Sequence, residues 1–164
     1  MPSYAVANNI DVARVEWALK YKTQGLTHHI RGLLWVTGER QPVAVTVPFS
    51  GLAADGPLAL GVQHWISAGD VTRTTCTITT MDDAGNDVEL TTTAFWLLQT
   101  PGSLQPVNVA VAAMMSGPFT SWHGNILVVG SNKAGDIFHD ITGQNRQAGT
   151  DAVLCLLHTH LRPL

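Results

Sequence analysis

Residues Val71–Leu98 read VTRTTCTITTMDDAGNDVELTTTAFWLL, and this stretch decides the fold class. Two runs rich in β-branched and aromatic residues flank Asp82-Asp83-Ala84-Gly85-Asn86-Asp87, whose residue types favour turns, so the stretch predicts a β-hairpin. Side chains alternate between the two faces of a strand. Cys76, Ile78 and Thr80 then share one face of the first strand, with Thr75, Thr77 and Thr79 on the other. In the second strand Val88, Leu90, Ala94, Trp96 and Leu98 form the apolar face, and Glu89, Thr91 and Thr93 the polar one, with Phe95 as its exception. Joining apolar face to apolar face pairs Ile78 with Thr92, Cys76 with Ala94 and Thr80 with Leu90. The connection is then Ala84-Gly85-Asn86, with Gly85 or Asn86 left-handed.

Outward from this hairpin the same period recurs. Ala13, Val15, Trp17, Leu19 and Tyr21 alternate with Arg14, Glu16, Ala18, Lys20 and Lys22, which predicts a half-buried strand despite the helical propensity of the segment. Thr23-Gln24-Gly25 supplies a turn into a returning run from Leu26 to Val36, in a register that sets Tyr21 against Leu26, Trp17 against Ile30 and Glu16 against Arg31. Val43, Val45 and Val47 make a further strand ended by Pro48. A run from Leu58 ends in His64-Trp65-Ile66, Val107, Val109 and Val111 alternate again, Trp122-His123-Gly124 leads into Asn125–Val129, and Ile137, His139 and Ile141 alternate in a last strand.

The end of the chain differs. Thr150 as N-cap, Asp151 in the first turn, His158, His160 and Arg162 near the end and Pro163 as a stop predict a C-terminal α-helix at about 150–161, with Val153, Leu154, Leu157 and Leu161 inward. About 8–9 short strands with regular turns and one helix predict a mainly β domain spanning 1–164, an antiparallel β-sandwich or a closed β-barrel.

Charged residues make up 13% of the 164 residues, where about 25% is usual. With nine Lys and Arg, none clustered, and a net charge of -3, the chain offers no phosphate-neutralising patch, which argues against nucleic acid. No apolar run reaches the roughly 18 residues of a membrane helix, and Met1–Arg14 shows no basic region followed by an apolar one. These features predict a cytoplasmic, soluble chain with no stable membrane anchor. Cys76 and Cys155, far apart and in no metal spacing, read as two buried thiols in preference to a disulfide, the alternative pairing. Low charge, strand edges, and Leu33 and Trp35 on a nominally polar strand face predict a homo-oligomer.

No cofactor motif is present, and no metal site is expected. His158 and His160 splay apart on a helix, His28 and His29 face opposite ways on a strand, and the acidic residues of Asp82–Glu89 fail the alternation of a calcium loop. The constellation that stands out is His64-Trp65 with Trp122-His123, each pair beside a Gly-containing turn and suited to the apolar face of a sugar or a small molecule. The reading is a non-enzymatic, lectin-like binding protein for a small-molecule or carbohydrate ligand. The alternatives are a small cofactor-free enzyme using His28 or His64 with Asp70, and a pore-forming or self-assembling protein using the Thr-rich hairpin 71–98.

The segments Ala59-Leu60-Gly61, Trp65, Thr74-Thr75 and Phe95-Trp96-Leu97-Leu98 resemble strands of the avidin family. That family's opening glycine-tryptophan strand and closing tryptophan-to-aspartate segment have no counterpart here. The resemblance therefore implies no biotin site.

Overall fold

The computed structural model describes residues 12–23, 28–49, 62, 65–66, 71–97, 105–114, 122–135, 137–141 and 146–160. In chain order these form α1 (Val12–Thr23), β1 (His28–Trp35), β2 (Val43–Phe49), β3 (Val71–Met81), β4 (Asp87–Leu97), α2 (Val109–Met114), β5 (Ile126–Ser131), β6 (Phe138–His139) and α3 (Arg146–His160). The strands make one open, wholly antiparallel sheet in the order β2-β1-β5-β4-β3, with the two-residue β6 beside β5. The protein is thus mainly β with a C-terminal helix. Among the described residues both faces are covered along β5 and the neighbouring parts of β1 and β4, while one face of β3, with Thr75, Thr77 and Thr79, is exposed.

β5 sits at the centre with every residue buried. Its side chains alternate between two cores. Ile126 and Val128 join Leu33, Trp35, Ala94 and Trp96 beneath α2 and α3. Leu127 and Val129 join Ile30, Leu34, Phe95, Trp65 and Ile66, with Val12 and Val15 of α1 packed against them. The runs Leu33-Leu34-Trp35-Val36 and Ile126–Val129 are continuously apolar because neither face of these strands meets water.

The segment expected as a first strand is α1. Ala, Arg, Glu, Leu and Lys are all good helix formers, and propensity prevails over the two-residue alternation. Val12, Val15 and Glu16 face the sheet, while Trp17, expected inward, is 67% exposed. The Trp17/Ile30 pairing therefore does not form, β1 pairs with β2 and β5 instead, and Leu26 of the expected Tyr21/Leu26 pairing lies outside the described residues. Glu16 and Arg31 do meet, with Nη1 to Oε2 3.3 Å, but across a helix–sheet contact. Glu16 reaches round the edge of β2, accepts from the Thr46 backbone N–H and accepts from the Thr46 hydroxyl at 3.0 Å. The Thr46 carbonyl accepts from the Trp65 indole at 2.8 Å, so at this residue the outer edge of β2 is capped by side chains.

The central hairpin forms with the expected faces but a register two residues away. Ile78 pairs with Leu90, Cys76 with Thr92 and Thr74 with Ala94. The cause is Asp82. Its carboxylate accepts from the N–H of Ala84 (3.0 Å) and Asn86 (2.8 Å), and its carbonyl from Gly85 N–H at 3.0 Å. That closes a turn over Asp83-Ala84-Gly85, one residue earlier than expected, with Gly85 left-handed at φ 83°. A two-residue shift preserves parity, which is why the faces survive.

α3 begins at Arg146 rather than Thr150, whose hydroxyl donates to the Arg146 carbonyl one turn back. Gly149 lies inside the helix, at a position where a Cβ would come within 2.8 Å of a Leu33 methyl. Ala148, Gly149, Ala152, Val153, Leu156 and Leu157 form the buried stripe; Leu154 is only half-buried, and Leu161 lies outside the described residues. The apolar face of Leu33 and Trp35, expected to need a partner subunit, is covered here by α2 and α3.

Burial on both faces predicts that adjacent residues of β5 are both costly to truncate. Ile126→Ala and Leu127→Ala should each lower unfolding free energy by about 3 kcal/mol in urea, whereas Thr77→Ala should cost less than about 0.5 kcal/mol. A near-neutral effect at either β5 position would show that one face is open.

Candidate functional site

Of the residues expected to bind a ligand, Trp65 and Trp122 are fully buried and lie in different cores, on opposite faces of the sheet. Trp65 is pinned by three bonds. Its indole N–H donates to the Thr46 carbonyl, its own carbonyl accepts from Asn125 Nδ2 at 2.9 Å, and its N–H donates to the Val62 carbonyl at 2.9 Å. Trp122 packs edge-on against Trp96, with centroids 5.4 Å apart, and its indole N–H has no hydrogen-bond partner among the described residues. His64, Asp70 and the His28 side chain lie outside the described residues.

His123 is half-buried and does reach a surface. It forms a β-bridge with Val107, and its Nδ1 lies 2.8 Å from the Gln105 carbonyl, so that nitrogen carries the proton. The bridge is closed on either side by Asn108 N–H donating to Trp122 carbonyl (2.8 Å) and Gly124 N–H donating to Pro106 carbonyl (2.9 Å).

Asn108 organises this corner. Its Oδ1 caps α2 by accepting from Val111 N–H at 3.1 Å, and its Nδ2 donates to the carbonyls of Trp35 (2.7 Å) and Gly124 (2.8 Å). This is why 107–111, which alternates like a strand, turns into a helix after one bridging residue. Once the cap turns the chain, Ala110 and Val111 point into the core and Val109 points out.

The outer surface of the corner is an apolar shelf. Gln105–Met114 holds no charged residue, and Pro106, Val107, Val109, Ala112 and Ala113 are all exposed, Val107 by 42% and Val109 by 48%. His123 and Gln105 form its polar rim. The shelf was missed because Val107, Val109 and Val111 read as one face of a buried strand; the signal available was Asn108, an N-cap residue three positions before Val111.

A second feature also went unread. Leu90, Thr92, Gly130, His139, Ile141 and Ala148 line a small cleft between the sheet and the start of α3, with room for about one water molecule. The Thr92 hydroxyl in its floor is buried and has no partner among the described residues. His139 and Asp140 do not form an acid–base pair there, since His139 Nδ1 meets the Asp140 carbonyl while the Asp140 carboxylate accepts from Arg31 N–H at 2.8 Å. Among the described residues no three His, Cys, Asp or Glu side chains gather in a metal-binding group, and no helix is long and apolar enough to cross a membrane. No family model, curated protein or solved structure matches the chain.

Asn108→Ala should lower stability by about 2–4 kcal/mol, because it removes a cap and strands two buried carbonyls. Asn108→Asp keeps the cap acceptor but not the two donors, so urea denaturation should show little rescue. Rescue to within about 0.5 kcal/mol would mean that capping alone holds the corner.

Proposed function

We propose that the chain is a non-enzymatic binding protein that acts through the apolar shelf around α2, and that the occupant of the shelf is a second copy of the same chain. The observation that carries this reading is the exposure of Pro106, Val107, Val109, Ala112 and Ala113 within ten residues devoid of charge. An isologous contact sets this surface against itself, and a patch without charges brings no like charges together. Its rim offers the His123 imidazole and the Gln105 amide to fix orientation, the usual division between an apolar centre and a polar border.

A sugar stacking on Trp65 or Trp122 is supported less well. Each indole is sealed, and reaching both would open two cores at once. The shelf needs no such opening. Its support, the Asn108 network, is rigid and buried, so the surface is ordered before contact and little entropy is lost on binding.

Light scattering at micromolar concentration tests this reading. The wild-type chain should show twice the 17.6 kDa chain mass, and Val109→Asp, which places a charge against its own symmetry mate, should shift it to the monomer with an unchanged thermal midpoint. A wild-type monomer, or a dimer indifferent to Val109→Asp, would contradict it.

A further inference from the structure

Cys76 and Cys155 are separated by much of the chain, yet the fold brings them together. α3 packs across β3, β4 and β5, and Cys76 lies on the face of β3 shared with Ala94 and Trp96 through the hairpin register, the face that α3 covers. Asp151 and Cys155 stand one helical turn apart on the same flank of α3, and both lie near enough to Cys76 to act on its thiol electrostatically. The two thiols differ in access. Cys155 is exposed and Cys76 half-buried, so the expectation of two buried thiols does not hold.

We propose that Cys76 and Cys155 are a redox pair that closes to an intrachain disulfide, tying α3 to strand β3. The oxidant is a peroxide. The exposed Cys155 sulfur attacks one peroxide oxygen; the O–O bond breaks, the other oxygen takes up the proton given up by the Cys155 thiol and leaves as water or alcohol, and Cys155 becomes the sulfenic acid. Cys76 then attacks the Cys155 sulfur. The S–S bond forms, the S–O bond breaks, and the hydroxyl leaves as water with the Cys76 proton. Two thiols lose two electrons in all, and the peroxide gains them.

Electrostatics assign the order of the two steps. Burial first, then the hydrogen bond and negative charge of Cys155 and the charge of Asp151, push the Cys76 thiol up to about 11. Cys76 is therefore a protonated, poorly reactive thiol near neutral pH, and it acts as the resolving partner of the exposed Cys155. Closing the bond joins a sheet strand to the last helix across a long loop of chain, which restricts the unfolded state strongly.

The test uses the intact chain. Reduced protein is treated with hydrogen peroxide at low molar excess, then unfolded, and free thiols and intact mass are measured. Both thiols should be lost together with the mass of two hydrogens, a Cys76–Cys155 linked peptide should be recovered under non-reducing digestion, and the thermal midpoint should rise by about 5 °C or more and return on reduction. In Cys76→Ser, Cys155 should instead stop at the sulfenic acid, detected by a dimedone-type trap, whereas in Cys155→Ser, Cys76 should resist the same dose. Recovery of both thiols unoxidised, a chain-to-chain disulfide through Cys155 in the wild type, or oxidation of Cys76 ahead of Cys155 would each overturn the proposal.

Discussion

A strand buried on both faces cannot place polar residues on alternate positions, and every residue of Ile126–Ser131 is withdrawn from water. This strand bonds β1 and β4 along its two edges and sends alternate side chains into two separate cores. The requirement that both faces be covered explains the helices. α3 supplies small residues, Ala148, Gly149 and Ala152, so that it can approach one face closely, and α1 supplies Val12 and Val15 to the other. In a sandwich or a barrel a second layer of strands does the work that α1 and α3 do here, and of the two only α3 was expected.

The buried polar groups follow from the same architecture. Where irregular chain crosses a covered sheet, its backbone groups need partners that water cannot supply. Asn108 and Asn125 supply them. Asn125 accepts from Thr37 N–H and donates to the Trp65 carbonyl, while Asn108 joins Trp35, Gly124 and the start of α2. Each ties an indole-bearing segment to the sheet, so Trp35, Trp65 and Trp122 belong to the framework.

The sequence carried the hairpin, its faces, the strands near Val43–Val47 and Asn125–Val129, and a helix at the end. It misled wherever one buried face was assumed. Phe95, an exception on the polar face of β4, and Leu34, out of phase with Leu33 and Trp35, both belong to the second core. Doubly buried strands show runs, not alternation, and Leu33–Val36 and Ile126–Val129 were such runs. The Ala13–Lys22 alternation arose on a helix, where good helix formers decide. Asp82 moved a register by two residues through side-chain bonds to turn amides, which no count of apolar pairs can register. Of the proposed ligand residues that are described, His123 borders the shelf while Trp65 and Trp122 are interior, because aromatic and imidazole side chains beside turns look alike whether they face a ligand or a core. The pairing of Cys76 with Cys155 depends on where α3 lies across β3, and nothing local to either residue states it.

The indoles are interior, with Trp17 as the exception. Of the five tryptophans, Trp35, Trp65, Trp96 and Trp122 are each no more than 2% exposed, and Trp17 is 67% exposed. Acrylamide quenching of Trp17→Phe tests this directly. Interior indoles should give blue-shifted emission with almost no quenching until the chain unfolds, and quenching comparable to that of a solvent-exposed indole would contradict their burial.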